Sequence, residues 1–419
     1  MMEGRGNRTR QLVSIAGCLM VQLCVGIIYL WSIFKTPMAC SFGCAPEKLN
    51  MVSSYMLTAF VIGCFLGGLL NDRKGPRITC LLGVQIFSAG IVLTAWLTSS
   101  TVELVNVTYA GLGGLGSGLS YSACISCVQK WLPGKRGLAT GLAVSAFGLS
   151  TVIFAPVSQA IMGAFTSELT GLVNFGGVFS TLALIFLSTG LVASNLISLP
   201  ETVPNGGQTA VVRGCSLVKA ARTRQYWCIF CTVFFINGTW NLTVPILYDL
   251  GIQRGLSVAM ATFAVSFTGV PNAAGRLLMA SLSDKLGRRS CTCLLSLLTA
   301  GAALLMIVAR GPIYILVVSI IAFAYGGPSS VNAAMTTDYF GPRYSGTNYG
   351  VIMLALGLSS LFFNTLSSTL LSGNVTASFL VAAVSAVIPM PLMALMGKPG
   401  ELADMVQEDE IAWAVPRHA

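Results

Sequence analysis

The chain has 419 residues, of which 9% are charged and 54% hydrophobic, with a mean hydropathy of +0.79. Against about 25% charged residues in an ordinary soluble domain, this composition excludes a soluble enzyme or binding module and indicates a polytopic membrane protein. The net charge of +10 follows from Lys and Arg gathered in cytoplasmic loops, so nucleic acid is not an expected partner.

A bilayer span needs about 20 apolar residues. Apolar runs of that length predict twelve helices, over residues 11–35, 50–71, 78–98, 104–129, 138–163, 172–198, 225–249, 258–282, 290–309, 312–335, 346–371 and 374–396. The first has no small-residue cleavage site and reads as a retained anchor. Its basic leader, with Arg5, Arg8 and Arg10, places the N-terminus in the cytoplasm. After it, "CSFGC" puts Cys40 and Cys44 in an external loop where a disulfide is one alternative and free thiols the other. Most of the remaining cysteines lie in apolar runs and read as small hydrophobes. Lys35, at the outer end of the first span, either draws anions to the mouth or snorkels to the interface.

The longest hydrophilic connection joins the sixth and seventh spans. It divides the chain into an N-terminal six-helix bundle (1–198), a cytoplasmic linker (199–224), a C-terminal six-helix bundle (225–397) and a cytoplasmic tail (398–419). Of the 24 Lys and Arg residues, the segments predicted to be inner hold 19. The outer loops hold Lys35, Lys48, Arg254 and Arg310, and the remainder is Arg276. Such asymmetry places both termini inside.

"FINGTWNLT" in the seventh span carries Asn237, Thr239 and Asn241 around Gly238. It reads equally as a locally irregular helix or as interhelical hydrogen bonding. The only histidine, His418, lies in the tail, which excludes a histidine metal site and a membrane histidine relay. No cofactor is implied. HExxH, G-x-S-x-G and a mid-membrane acid/base pair are all missing, so the chain is not read as an enzyme.

"GLLNDRKGPR" after the second span and "ASLSDKLGRR" after the eighth repeat the order small residue, Asp, basic residue, Gly, basic residues, with Asp72 and Asp284 212 positions apart. A repeat of half the chain in an all-helical membrane protein points to two related bundles around a central site. The Asp can accept bonds from nearby helix N-termini while the basic residues face the cytoplasm, forming a polar latch; a topology-setting loop is the plainer alternative. The gating set is therefore Asp72, Arg73, Arg77, Asp284 and Arg288.

Arg276 falls near the middle of the eighth span, where insertion of a cation costs about 2.5–3.5 kcal/mol. The alternatives are a substrate anchor and a structural cation paired with a buried acid or with helix carbonyls; the sequence offers no Asp or Glu near its depth, which favours the anchor, and the guanidinium fork matches a carboxylate and stays charged. Asn272, four residues earlier, shares its helix face and either orients it or binds substrate.

The paired motifs resemble the loop signature of the major facilitator superfamily over nearly the whole chain. "YLWSIF", "WLPGKRGLATGL" and "SGTNYG" are similar to the oxalate/formate antiporter family, which is related to the monocarboxylate transporters. The resemblance implies an alternating-access carrier with two pseudo-symmetric six-helix bundles in the cell membrane. It also implies an aromatic-lined site at Tyr29, Tyr121, Phe147 and Tyr325. In related monocarboxylate transporters the position of Asn272 can be an Asp implicated in proton coupling, and Asn cannot titrate. Where oxalate transporters of the family carry a second cation, as a lysine in the eleventh span, this chain has Leu356.

One cation and one leucine suit a monoanion better than oxalate. The expected function is transport of a small monocarboxylate of the lactate, pyruvate, formate or acetate type. Exchange is favoured, because a bound anion neutralises Arg276 during reorientation, and proton symport is the other mode. Oxalate/formate antiport and a non-transporting sensor are the alternatives. The expected partners are the small carboxylate and the lipid bilayer, with the chain acting as a monomer.

Overall fold

A computed structural model describes residues 2–49, 51–200, 214–369 and 374–397. Residues 201–213 of the linker and all of the tail, with His418, lie outside these residues. The regular elements among the described residues are all helices, apart from one isolated bridge between Thr166 and Val173, and they follow the order of twelve spans. Eight helices are each long and apolar enough to cross a bilayer alone: Val52–Lys74, Pro76–Ala95, Pro133–Ala164, Phe175–Leu196, Arg288–Val308, Pro312–Phe340, Ser345–Leu366 and Val375–Leu395. These are spans two, three, five, six and nine to twelve.

The other four spans are interrupted or polar, for reasons visible in their residues. Span one runs as Met2–Val25, a 3-10 turn Ile27–Leu30 and Trp31–Phe42. It corrects the expectation of an external loop from residue 36: the helix continues through Pro37 and carries Cys40 on its last turn, and both Cys40 and Cys44 are free thiols. Gly43, with φ 63°, ends it in the left-handed region. Span four opens with a π-helical segment, Asn106–Leu112, before Gly113–Trp131.

Span seven breaks at Asn237 into Arg224–Ile236 and Gly238–Thr243, then passes through Val244–Ile246 to Leu247–Gln253. Both readings of its polar stretch hold together. The helix is irregular, and Thr239 Oγ1 donates to the Ala382 carbonyl at 3.1 Å while Asn241 Nδ2 donates to Ser359 Oγ at 3.1 Å. Span eight divides into Val258–Phe267 and Gly269–Leu286. Pro271 has no N–H for the Phe267 carbonyl, which accounts for the break at Thr268.

The apolar core has two parts. The larger runs through the N-terminal bundle and on into one end of spans nine to twelve, through Leu295, Met335, Phe340, Ile352 and Met393. The smaller, with Leu242, Met306, Tyr314 and Phe379, occupies the opposite end of the C-terminal bundle. Apolar packing thus joins the bundles at the end that carries Asp72 and Asp284.

Candidate functional site

Span eight brings Arg276 to the centre of the molecule, 5% exposed. Its Nε donates to Asn272 Oδ1 at 2.7 Å, one turn back on the same face, and its Nη1 donates to the Val144 carbonyl of span five at 3.2 Å. Gly326 of span ten lies so close that a Cβ there would meet the Asn272 carbonyl at 2.1 Å. The small residue is what lets spans eight and ten touch at this depth.

Arg276 forms part of the wall of a cavity shared by both bundles. Phe60, Tyr121 and Phe147 close it from the N-terminal side, and Val233 and Asn237 come from span seven. Tyr325, Ser329 and Asn332 line it from span ten, and Tyr349, Met353 and Leu356 from span eleven. Spans ten and eleven each contribute residues at i, i+4 and i+7, the spacing of one helix face. About 30 Å³ is open to the centre of a water molecule, room for a few non-hydrogen atoms.

Of the aromatic residues expected here, three line the cavity. Tyr121 and Phe147 meet edge to face at 5.0 Å, and Phe60 closes the triangle at 5.2 and 5.6 Å. Tyr325 stacks on Trp240 at 4.7 Å, with planes 12° apart. Tyr29 lies on the Ile27–Leu30 turn, and its side chain is outside the described residues. Leu356 is in the wall, whereas Asn272 reaches the cavity only through Arg276. Lys35 is half-buried within the Trp31–Phe42 helix.

Sequence reasoning missed Phe60, Val233, Ser329, Asn332, Tyr349 and Met353. Tyr349 was signalled by "SGTNYG". Its hydroxyl donates to the Ser329 carbonyl at 2.8 Å, and it also lines a polar seam, too tight to admit a water, with Ser122, Ser126, Gln129, Thr337 and Ser345. That passage is pinned shut by Ser126 and Ser345 at 3.0 Å and by Thr337 Oγ1 donating to Gln129 Oε1 at 2.7 Å.

Beyond it lie the repeated motifs, each engaging the opposite bundle. Asp284 accepts from the Gly137 and Leu138 amides, at 2.8 and 2.9 Å, at the start of span five. Asp72 accepts from the Thr347 amide and hydroxyl, at 2.8 and 2.7 Å, at the start of span eleven. A carboxylate there meets unpaired N–H groups and the positive end of a helix. The glycine of each motif has its own reason: Gly75 and Gly287 turn the chain into the next span at φ 84° and 87°.

Arg288 bonds Asp284 at 2.7 Å and Asp338 at 2.8 Å, and Asp338 also takes Arg136 of the other bundle at 3.0 Å. Arg136 and Asp338 therefore join the latch, though neither stands in the repeated motifs. Arg77 donates to Asn195 within its own bundle at 2.6 Å, and Arg73 is exposed at the end of span two.

Comparison with known proteins agrees with this arrangement. Residues 15–363 and 229–409 match the sequence profile of the Major Facilitator Superfamily. The chain is 26% identical to the oxalate:formate antiporter of Oxalobacter formigenes, over 94% of this chain and 93% of that protein. It is also 26% identical to apicoplast pyruvate carrier 1 of Toxoplasma gondii, over 77% and 70%. Among solved structures, the fucose:proton symporter of E. coli superposes with a TM-score of 0.71 at 13% identity, over 93% of this chain and 99% of that one.

Proposed function

The chain belongs to the Major Facilitator Superfamily and is a multi-pass membrane transporter, and on that footing we propose that it carries small monocarboxylate anions by alternating access. The observation that carries the proposal is the placement of Arg276 in the wall of a cavity with room for only a few atoms, which it shares with Leu356, Tyr121 and Phe147. Guanidinium offers a carboxylate paired donors, and the aromatic and aliphatic walls exclude water and leave space for a short apolar remainder. Leu356 gives no second cation for a dianion.

The latched end, with its cluster of Arg136, Arg288 and exposed Arg73 and Arg77, is assigned to the cytoplasm, with both termini on that side. Asn272 holds Arg276 without a proton to exchange, which supports anion exchange over proton symport.

Purified protein in liposomes, given labelled acetate, formate, lactate, pyruvate and oxalate with internal anion and pH gradient varied separately, tests all of this. Uptake of monocarboxylates driven by an internal anion is the expected result. Uptake of oxalate without competition from monocarboxylates would replace the proposal with oxalate/formate exchange, and failure to move any of them would remove it.

A further inference from the structure

Tyr349 lines both the central cavity and the tight seam beneath it, so the seam lies between Arg276 and the latched end. The polar lining begins inside the cavity: Asn332, beside the seam residue Ala333, is 1% exposed, and neither atom of its carboxamide has a partner among the described residues. Ser122, Ser126, Gln129, Thr337 and Ser345 continue it, and no charged side chain stands among the seam residues.

The internal repeat sets this neutrality in contrast with the other half of the same end. Pro133 and Gly137 recur as Pro342 and Gly346, 209 positions later. On that register Gln129 stands where the C-terminal half has Asp338, and Ser345 where the N-terminal half has Arg136. Arg136 and Asp338 pair across the bundles at 3.0 Å. Their uncharged counterparts also reach across, Gln129 to Thr337 at 2.7 Å and Ser345 to Ser126 at 3.0 Å.

Every member of this neutral set has a second partner on its own bundle. Thr337 Oγ1 lies 3.2 Å from the Ala333 carbonyl one turn back, and Ser345 Oγ lies 3.1 Å from the Pro342 carbonyl. Gln129 Nε2 donates to Thr140 Oγ1 at 2.7 Å, and Ser126 Oγ accepts from Asn71 Nδ2 at 3.3 Å. A hydroxyl has one proton and can turn it to either acceptor. When the bundles part, each cross-bundle bond is lost but no side chain is stranded without a partner, which is the costly outcome for a buried polar group.

We propose that Gln129, Thr337, Ser126 and Ser345 form a second, uncharged cytoplasmic gate on the route by which the anion leaves. It opens as the Thr337 and Ser345 hydroxyls give up the opposite bundle for their own chain. A fixed acid in the seam would repel the departing anion and a fixed base would hold it. The hydroxyls and the carboxamide do neither.

This inference rests on the anion-carrier reading of the cavity, and the test separates the two. Full-length protein carrying Ala333→Cys is treated with a water-soluble maleimide, and mass spectrometry follows modification at position 333. That position is 1% exposed in the seam, so it reacts only when the gate opens. Thr337→Val keeps the shape and removes the hydroxyl; it is expected to speed labelling about fivefold, the effect of one neutral hydrogen bond on an equilibrium. Thr337→Ser, which restores the hydroxyl, is expected to label as slowly as the parent. Ser345→Ala is expected to label faster than the parent and decides the matter if Thr337→Val does not fold. Labelling unchanged by both removals overturns the proposal, and so does Thr337→Ser labelling as fast as Thr337→Val. Gln129→Glu puts an acid in the seam and is expected to lower carboxylate uptake in liposomes about tenfold; uptake equal to wild type takes the anion off this route and overturns the proposal. Labelling uses no substrate, so if wild type moves no carboxylate the substrate reading falls and the gate still stands or falls on the labelling.

Discussion

Arg276 and Asn272 stand one turn apart on span eight, joined by a 2.7 Å bond from the guanidinium Nε to the carboxamide oxygen. That bond fixes the rotation of the guanidinium about its stem, and the Val144 carbonyl at 3.2 Å holds it from the other bundle. Lysine keeps the charge but has neither the planar fork nor an equivalent of Nε. Arg276→Lys is expected to lower the initial rate of carboxylate uptake in liposomes by about tenfold or more, the loss that follows from one charge-assisted bond. Normal transport by this variant would remove Arg276 from the role of anchor.

Asn272→Asp turns the same contact into an ion pair. The introduced carboxylate competes with substrate for Arg276, so uptake at neutral pH is expected to fall. Protonation at lower pH neutralises the competitor, so the rate should recover as pH decreases, where the wild type has no such dependence from this position. Rates measured between pH 5 and 8 with the internal anion fixed check the sign; a variant that weakens toward acid contradicts it.

Leu356→Lys adds a cation to the cavity wall. Opposite charges favour each other strongly where water is excluded. The ratio of oxalate to acetate uptake is expected to rise about tenfold, and an unchanged ratio would mean that position 356 does not face the anion.

The latch depends on backbone approach as much as on charge. A Cβ on Gly137 would meet the Ala280 carbonyl at 2.1 Å, and one on Gly68 would meet the Gly346 carbonyl at the same distance. Both contacts lie between bundles, one turn from Asp284 and Asp72 respectively. Gly137→Ala and Gly68→Ala are therefore expected to separate the bundles at that end. Hydrogen exchange of the Gly137, Leu138 and Thr347 amides, now bonded to the two aspartates, should accelerate; protection equal to wild type in both variants would contradict this account.

The regularity of the fold was legible because burial in lipid leaves long apolar runs, and because the two Asp motifs are spaced by half the chain. The interruptions were only partly legible. Asn237 and its neighbours offered a break in span seven as one of two equal readings, but nothing in "WSIFKTPMACSF" distinguishes a loop from a helix that continues past Lys35, since its apolar residues suit both.

Arg276 was legible as a charge out of place, and Leu356 as a departure from a family pattern. Asn332 was not, because Ser, Asn and Thr are frequent in buried helix contacts and no local spacing marks one whose side chain is unsatisfied. The shared role of Asp338, between Arg136 and Arg288, depends on helices distant in sequence and was equally hidden.

Gly137 and Leu138 serve Asp284 through their peptide nitrogens, and Thr347 serves Asp72 partly in the same way. An alanine scan removes the aspartates cleanly, but at Gly137 it adds a clash with the Ala280 carbonyl, and at Leu138 and Thr347 it leaves the peptide donor in place. Replacing single peptide bonds by esters at these positions, which deletes the donor and keeps the side chain, is the genetics this gate requires.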